Sequence, residues 1–473
     1  ITEIVDSDSY TITSSVAATA SATGTGGSAV VGAYQINVGP EFTVPLSGWS
    51  ASTWGSGTWG FGDTGTDPIR LWSQSNFGED LVFGPRGGKL YYWDTSVGTG
   101  TRAVDATTLT GASNVPTIQN FVFVSDVSRF VFCFGANTLG TSSQDPLLIR
   151  WSDQESVTNW TPAATNKAGD LTLSEGSEII TAKQARQEIL VWTDAAVYSM
   201  QYVGVGSGVW SAQLVGDNIS IASQNAVAYA NGVMYWMGND KFYKYDGRTQ
   251  PLRCDLRRFI FDDFNHTQFG QVTAGTNEAF HEIWWFYASQ DSNTNDRYVV
   301  YNYVEDVWYY GNLARTAWLD SGLRDYPLAA TYNNNLVNHE NGVDDNTTDV
   351  VASIDAYITS TQFDLDSGDS FSFVRRMLPD LRFDGSTIDN PNTTLTLIPM
   401  ANSGSGYNTP RSVGGENYAS VQRSATIPIE QYTEQVYPRV RGRQLIFKVE
   451  SSEIGVQWQL GVPRIDLRPD GRR

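Results

Sequence analysis

The sequence predicts an all-β protein, in which a β-propeller of about six irregular blades is followed by a β-sandwich platform domain with few short helices. The chain of 473 residues contains 15 Trp, 23 Tyr and 21 Phe, and aromatic side chains suit half-buried pleated strands. Its 44 glycines supply positions for tight turns. Short aromatic strand pairs also recur along the chain, which is typical of propeller blades.

The clearest of these strand pairs reads NGVMYWMGNDKFYKYDG, from Asn231 to Gly247, with a polar break between two aromatic runs. Similar pairs recur, and their second strands carry the anchor residues Trp93, Trp151, Tyr198, Tyr245, Tyr301 and His339. Neighbouring anchors are 38 to 58 residues apart, close to the period of roughly 40–50 residues found in propellers. Because a small sheet cannot bury both faces alone, radial stacking would bury the aromatic side chains between sheets. We therefore expect each hairpin to be the inner half of a blade.

Regions with other patterns flank the repeats. Residues 1–45 are rich in Ser, Thr and Ala and predict a β segment, the remnant of a truncated N-terminal region. Residues 46–345 are assigned to the propeller. Its glycine-rich opening loop carries three tryptophans, Trp49, Trp54 and Trp59. Alternating apolar and polar residues over 346–473 predict the C-terminal β-sandwich, or platform, domain.

One amphipathic helix is predicted in DLRRFIFDDFN. Its apolar residues fall on a single helical face, and they are Leu256, Phe259, Ile260 and Phe264. Asp255 is a plausible N-cap, because its side chain can accept a hydrogen bond from a free backbone N–H of the first turn. We expect two to three helical turns that connect two blades.

The charge balance is strongly acidic. The chain carries 31 Lys and Arg against 51 Asp and Glu, which gives a formal net charge of −20. Affinity for nucleic acid requires a basic footprint, so the composition argues against phosphate binding, although not against DNA passing nearby. An acidic surface also serves solubility, and that explanation accounts for the charge equally well.

The cysteines and the hydropathy pattern define further expectations. Cys133 and Cys254 both lie in apolar surroundings, which predicts two buried thiols rather than a disulfide. No apolar run approaches the roughly 18 residues that a membrane-spanning helix requires, so we expect no membrane-spanning segment. A signal-peptide pattern is not visible either.

Motifs for catalysis, metals or cofactors are not apparent. The three histidines, His266, His281 and His339, show no paired-ligand spacing. The segment from Asp291 to Asp296 resembles the start of a calcium loop but lacks its glycine, which favours a solvated hairpin loop. We expect no catalytic residue, no metal and no cofactor, and therefore no enzyme. The alternative is a carbohydrate-binding or glycoside-hydrolysing propeller, since two acids could meet in a propeller's central well.

Two groups of residues are candidates for subunit or partner interfaces. Arg439, Arg441 and Arg443 alternate in YPRVRGRQLIF, and a solvated strand face is the simpler interpretation. Alternatively they contact an acidic neighbouring subunit, because guanidinium groups pair with carboxylates in a forked geometry. The tryptophans of the opening loop, Trp49, Trp54 and Trp59, either pack over their own propeller or dock a partner, since Trp is favoured at interface hot spots.

Several long motifs resemble structural proteins of tailed bacteriophages. These motifs are LWSQSNFGEDLVFGPRGGKLYYWD, LLIRWSDQESVTNWTP, NGVMYWMGNDKFYKYDG, RRFIFDDFN, EIWWFY and DRYVVYNYVEDVWYYG, in this order. The C-terminal RVRGRQLIFKVES and VQWQLGVPRIDLRP are similar to the end of those proteins. From about Ala33 to Arg473, the chain resembles the tail hub, or nozzle, of short-tailed phages, also called the tail tubular protein B or packaged-DNA stabilisation protein family.

The resemblance implies a structural protein of the virion tail. Members of that family form a hexameric ring below the portal and its adaptor ring proteins, with a propeller and a sandwich platform in each subunit. The ring extends the DNA channel, helps to retain the genome and conduct it during ejection, and anchors tail fibres or a needle. The resemblance therefore implies a homo-oligomer through whose lumen double-stranded DNA passes without specific binding. An acidic lumen would fit this role, because DNA could slide past it rather than adhere.

Overall fold

The structure is a computed structural model that describes residues 3–6, 9–11, 39–45, 66–126, 128–204, 208–322, 324–348, 350–401 and 424–471. Nearly all of its regular elements are antiparallel β-strands. The short helices are one α-helix and four 3₁₀ turns at Thr95–Val97, Ala106–Thr108, His266–Gln271 and Glu278–Phe280. In these ranges, no helix combines the length and the apolar character that crossing a membrane requires.

The N-terminal part contributes two small strand pairs. They are β1 (Glu3–Asp6) with β2 (Ser9–Thr11), and β3 (Val44–Pro45) with β4 (Thr66–Asp67). Most of the predicted segment 1–45 lies outside the described residues, and so do Trp49, Trp54 and Trp59.

Six consecutive sheets follow, each built from strands adjacent in sequence. Blade 1 contains β5 (Trp72–Phe77), β6 (Asp80–Pro85), β7 (Tyr91–Trp93) and β8 (Val104–Asp105). Blade 2 contains β9 (Phe121–Val124), β10 (Val131–Phe134), β11 (Leu148–Trp151) and β12 (Gly169–Thr172). Blade 3 contains β13 (Ile179–Gln184), β14 (Ile189–Thr193), β15 (Ala196–Tyr202) and β16 (Trp210–Asp217).

The second half of the propeller contains the α-helix and ends in a smaller sheet. Blade 4 contains β17 (Val227–Ala230), β18 (Val233–Met237), β19 (Phe242–Tyr245) and β20 (Thr249–Leu252), and α1 (Arg257–Phe261) follows it. Blade 5 contains β21 (Thr273–Asn277), β22 (Glu282–Tyr287), β23 (Arg297–Asn302) and β24 (Val307–Asn312). Blade 6 has three strands, β25 (Ala317–Leu319), β26 (Leu328–Ala330) and β27 (Leu336–Asn338).

This series of four-stranded sheets confirms the predicted propeller. The anchor residues lie on the third strand of successive sheets, except that His339 directly follows β27. However, the expectation that each aromatic hairpin is the inner half of a blade was wrong. The hairpin forms the second and third strands of each blade. The first strands of neighbouring blades contact one another: β5 contacts β9, and β17 contacts β21. The first strands therefore surround the axis, and the aromatic hairpins lie farther out.

The propeller axis is bridged by a side chain at one end. Gln224, which precedes the first strand of blade 4, donates from Nε2 to the carbonyl oxygen of Trp72 in blade 1 at 2.9 Å. Gln224 is buried. Because blades 1 and 4 are three positions apart around the disc, this bond spans the axis. A duplex of DNA cannot pass where two blades are in hydrogen-bond contact.

Apolar clusters fill the spaces between neighbouring blades. Blades 3, 4 and 5 share one cluster, in which Trp192, Trp236 and Trp285 are fully buried on the second strands of successive sheets. Separate clusters join blade 2 to blade 3 and blade 1 to blade 2. The burial of these large aromatic faces is the main stabilisation that holds the sheets together.

The connector between blades 4 and 5 is shorter than the sequence predicts. Helix α1 has five residues and starts after Leu256, with no side-chain cap. The prediction of Asp255 as the N-cap was therefore wrong, because its carboxylate bonds to Arg253 instead, at 3.2 Å. The apolar face is confirmed only in part: Ile260 of the helix is buried, and Phe264 is buried as well but lies three residues beyond the end of the helix.

The two cysteines are free thiols. Cys133 is buried in blade 2, as predicted, while Cys254 is only half-buried beside α1. Burial raises the pKa of both thiols to about 12. Both are therefore neutral at pH 7.

The C-terminal region forms the predicted sandwich. Its strands are β28 (Asp344–Asp345), β29 (Ala352–Ser353), β30 (Ala356–Thr359), β31 (Phe363–Asp364), β32 (Ser372–Leu378), β33 (Leu381–Arg382), β34 (Asn392–Met400), β35 (Ala425–Glu430), β36 (Val440–Gly442), β37 (Gln444–Ser451), β38 (Gln459–Leu460) and β39 (Arg464–Pro469). One main sheet has the order β30-β37-β34-β35, with β31 also paired to β37, and the other has the order β36-β32-β39. Val374, Met377 and Val440 of the smaller sheet pack against Leu395 and Val449 of the larger one.

Candidate interaction surfaces

Groups of three or more His, Cys, Asp or Glu that could hold a metal ion do not occur among the described residues. His266 stacks edge to face on Phe269, with 5.0 Å between ring centroids. His339 accepts a hydrogen bond at Nε2 from Arg315 Nε at 2.9 Å. The Asp291–Asp296 segment is a loop between β22 and β23, as predicted, but its Asn295 is buried rather than solvated.

The three arginines predicted as an interface lie in the sandwich but differ in environment. Arg441 is half-buried in β36, and its guanidinium lies over the Phe371 ring at 4.0 Å and donates to the Asp470 carboxylate. Arg443 is also half-buried, 5.0 Å from the same ring. Arg439 precedes β36 with a positive φ of 53° and is exposed. The strand alternation is therefore interrupted at Arg439.

The pairing of β36, β32 and β39 brings further arginines to the same side of the sandwich. Arg441 and Arg468 flank Phe373, Arg376 faces Asp466, and Arg464 faces Leu378. The inner residues of this sheet are the core side chains already described, so the arginines point away from the core. We call this surface the arginine face, and it consists of Arg375, Arg376, Arg441, Arg464 and Arg468.

The charges of the arginine face are only partly compensated. Arg441 pairs with Asp470, and Arg376 is 3.9 Å from Asp466. Among the described residues, Arg375, Arg464 and Arg468 form no ion pair, and all three are exposed. A positive surface on a chain with a net charge of −20 is a departure from its average composition.

An acidic surface lies on blades 5 and 6. We call it the acidic rim, and it consists of Glu278, Glu282, Glu305, Asp306, Asp320 and Glu340. Local hydrogen bonds position some of its members: the Asp320 carboxylate accepts from the Glu278 N–H at 3.1 Å, and Glu340 accepts from Asn277 Nδ2 at 3.2 Å. Burial, and then the nearby Glu282 carboxylate, raises the pKa of Glu340.

The acidic rim also lacks counter-charges. Within the ranges that the structure describes, none of its six carboxylates forms an ion pair with Lys, Arg or His. Its hydrogen-bond donors are neutral groups, as when Tyr301 donates to Asp306 at 2.9 Å and Tyr309 donates to Glu282. Burial, followed by the hydrogen bond to Glu282, raises the pKa of Tyr309, which keeps this phenol protonated.

Exposed apolar side chains form a third surface, between the propeller and the sandwich. This junction strip consists of Val350, Val351, Ile354, Tyr357 and Ile358, and Val350 and Tyr357 expose 75% and 53% of their surface. Part of the strip is β30, an edge strand of the larger sheet. Because consecutive residues of a strand point to opposite faces, Tyr357 and Ile358 expose apolar surface on both sides of this edge strand. Exposed apolar surface of this kind is available for contact with another molecule.

Sequence reasoning found only one member of the arginine face and none of the acidic rim. The alternation in PRIDLR was a usable signal for Arg464 and Arg468, whereas the adjacent Arg375 and Arg376 in VRRML show no alternating pattern. The pairing that joins these segments spans about 90 residues of sequence, and a strand pattern does not specify its partner. The rim combines residues from turns of two different blades with Glu282 of strand β22, and these positions share no common pattern.

No protein-family model matches the chain. No curated protein matches it either. Among solved structures, the computationally designed Ika8 protein is similar, with 10% sequence identity, coverage of 57% of this chain and 70% of that chain, and a TM-score of 0.36. Hsv2 of Kluyveromyces lactis is also similar, with 10% sequence identity, coverage of 55% of this chain and 72% of that chain, and a TM-score of 0.31. The propeller assignment rests on the strand pairings described above, not on these scores.

Proposed function

We propose that this chain is a structural, non-enzymatic subunit of a bacteriophage tail, a nozzle protein whose copies form a ring that extends the DNA channel. The resemblance of its long motifs to tail hub proteins supports this function. The combination of a propeller with a sandwich in one chain is what that resemblance implies.

The observation that carries the proposal is the presence of two surfaces of opposite charge on different parts of one chain. The carboxylates of the acidic rim form no ion pair among the described residues, and the charges of the arginine face are only partly compensated. The arginine face belongs to the sandwich, and the acidic rim belongs to blades 5 and 6. A contact between two different patches of identical subunits is heterologous, so each copy can bind the next one, and the series closes into a ring when the rotation allows it. Charge complementarity of this kind sets partner choice and orientation.

The bridged axis supports the same arrangement. Because Gln224 contacts Trp72 across the propeller, the opening of a single propeller does not serve as a conduit for DNA. In the proposed assembly the conduit lies between copies, on the axis of the ring. The excess of acidic residues then favours a lumen along which phosphates move without binding.

The junction strip is proposed as the surface for other tail components. A ring in the tail contacts adaptor ring proteins below the portal on one side and fibres or a needle on another. Exposed Val350 and Ile354, with the half-exposed ring of Tyr357, offer apolar contact area. Burying such side chains would stabilise an assembly by about 25 cal/mol per Å² of apolar surface.

The test is the native mass of the purified protein, followed by electron microscopy of the particles. A ring of about six 52.0-kDa copies is expected. A monomer at all concentrations would contradict the proposal, and a monomer that binds or cleaves a glycan in an array would indicate a carbohydrate-active propeller instead.

A further inference from the structure

A cavity of about 310 Å³ lies at the side of blades 1 and 2, away from the surfaces discussed above. Its walls come from the connection between β8 and β9 and from the turn after β10. They consist of Thr107, Ala112, Asn114, Val115, Thr117, Asn137, Gly140, Thr141 and Arg150. Gly140 and Thr141 are exposed and stand at the opening, whereas Arg150 is 2% exposed and lies at the base.

Arg150 is a buried cation whose hydrogen bonds, within the described part of the chain, go to backbone carbonyls. Its Nη1 donates to the Asn137 carbonyl at 3.2 Å and its Nη2 to the Asn114 carbonyl at 2.6 Å. These two bonds use two of the five N–H donors of a guanidinium. Among the described residues no Asp or Glu forms an ion pair with Arg150. Burying a charge in this way is costly unless an opposite charge accompanies it.

The neighbours of Arg150 in the sheet supply that charge only in part, because the Asp170 carboxylate attracts Arg150 from beyond ion-pair distance. Cys133 is the residue opposite Arg150 on the neighbouring strand β10, but its thiol is neutral at pH 7. Asp170 is opposite on β12, where it is exposed and beyond ion-pair distance. Burial accordingly lowers the pKa of Arg150 from its usual value.

A second unsatisfied group lies in the same cavity. The hydroxyl of Thr117 is buried and has no hydrogen-bond partner among the residues that the structure describes, although the backbone N–H of Thr117 donates to Asn137 Oδ1 at 2.8 Å. An unsatisfied buried hydroxyl is destabilising, because it has lost its hydrogen bonds to water without gaining others. The cavity therefore presents both a cation and a free hydroxyl that a ligand could satisfy.

We propose that this cavity is a binding site for the carboxylate of a small hydroxylated molecule, with Arg150 as the counter-charge and the Thr117 hydroxyl as a second hydrogen-bond partner. A guanidinium fits a planar carboxylate well. A single carboxylate balances the one cation, while a phosphate dianion would leave excess negative charge beside Asp170. The volume is that of a sugar-sized ligand, at the lower end of ordinary ligand pockets. This site is independent of the proposed tail function.

The test is calorimetric titration of the intact protein with D-glucuronate, with D-glucose as the neutral analogue and inorganic phosphate as the competing anion. We expect saturable binding of glucuronate. Glucose and phosphate should each bind about tenfold more weakly, or not at all. Arg150→Met should bind glucuronate about tenfold more weakly than the unchanged protein, or weaker still, because it loses a hydrogen bond to a charged group. Thr117→Val preserves the shape of the side chain but removes its hydroxyl, so it should bind glucuronate several-fold more weakly than the unchanged protein.

Thr172→Val on exposed strand β12 serves as the matched control and should bind glucuronate like the unchanged protein. If Arg150→Met fails to fold, the affinity of Thr117→Val for glucuronate still tests the proposal. The proposal is overturned if glucuronate does not bind, if glucose binds equally well, if phosphate binds more tightly, or if Thr117→Val and the control are equivalent.

Discussion

Trp192 of blade 3 and Trp236 of blade 4 meet nearly edge to face, with their ring centroids 5.4 Å apart and their planes at 72°. Both rings are fully buried, and each lies on the second strand of its sheet. The Trp236 indole N–H donates to the carbonyl of Ser220, on the segment that connects the two blades, at 3.2 Å. This pair therefore fixes one blade against the next through both packing and a hydrogen bond.

Replacing Trp236 by Ala should lower the free energy of unfolding by about 3–5 kcal/mol, because a buried indole leaves a cavity that neighbouring blades cannot fill. Urea unfolding followed by circular dichroism measures the change. The control is Tyr432→Ala, which removes a side chain that is 84% exposed and should alter the unfolding free energy by less than about 0.5 kcal/mol. Equal effects of both variants would show that the inter-blade packing contributes little.

Close approach of two strands makes Gly275 sensitive to any side chain. A Cβ at this position of β21 would lie 2.1 Å from Cδ1 of Trp318, on the first strand of blade 6. Gly275→Ala should therefore destabilise the fold by about 1–3 kcal/mol, because the indole must shift. Gly100→Ala is the matched control, since no atom lies within 4 Å of its Cβ. A thermal melt that is unchanged in Gly275→Ala would contradict the blade 5 to blade 6 packing.

His339 should make the stability of blade 6 depend on pH. Burial, and then the Arg315 cation, lowers its pKa from 6.5 to about 4. The charged groups that face it are Arg315 and Asp345, and its ring packs on Trp318. The folded protein binds a proton at His339 less well than the unfolded chain does. The contribution of neutral His339 to the free energy of unfolding is therefore complete above pH 6.5 and is lost as the pH falls from 6.5 to 4. The loss is on the order of 1–3 kcal/mol.

The difference between two variants isolates this effect from other titrating groups. His339→Gln retains an acceptor for Arg315 but has no proton to bind, so its unfolding free energy should fall less between pH 6.5 and 4. His266→Gln, at an exposed position, should follow the unchanged protein. If all three proteins lose stability in parallel over this range, His339 is not the group responsible.

The sequence predicted the repeated blades because large aromatic residues mark the second and third strands. It misplaced those strands, and the reason is visible in β17 (VAYA) and β21 (TAGTN). These two first strands are crowded and carry mostly small residues, so they lack the aromatic signal that defined the repeat. The first strands β5 (WSQSNF) and β9 (FVFV), in contrast, do carry aromatic residues. The helix was overestimated for a similar local reason: its apolar spacing continued to Phe264, but the helix itself ends at Phe261.

The candidate surfaces were less predictable, because they depend on contacts between distant residues. The alternation of Arg439, Arg441 and Arg443 suggested a single stripe. In the structure, Arg441 instead joins Arg468 around Phe373 through two different strand pairings. A bulge between Val374 and Arg376 also displaces the alternation in β32. Neither the pairing nor the bulge follows from the periodicity of one segment.

Charge reversal tests the contact between the arginine face and the acidic rim. Arg464→Glu with Arg468→Glu should dissociate the ring, because each subunit contact would then bring like charges together at a cost of several kcal/mol. Glu278→Arg with Glu305→Arg should dissociate it in the same way. Native mass measures both outcomes, and raised salt should weaken the unchanged ring, since exposed ion pairs are screened.

Rescue distinguishes this contact from a general effect of charge. A chain with all four reversals regains complementary surfaces, so it should assemble again, whereas damage to the fold would not be repaired by further substitutions. Arg102→Glu with Arg248→Glu changes the net charge by the same amount at exposed positions elsewhere and should leave the ring intact. Rings that persist in both double variants would place the subunit contact on other surfaces while preserving the proposed assembly. Loss of duplex DNA binding from Arg464→Glu with Arg468→Glu, in rings of unchanged mass, would instead identify the arginine face as a nucleic-acid surface.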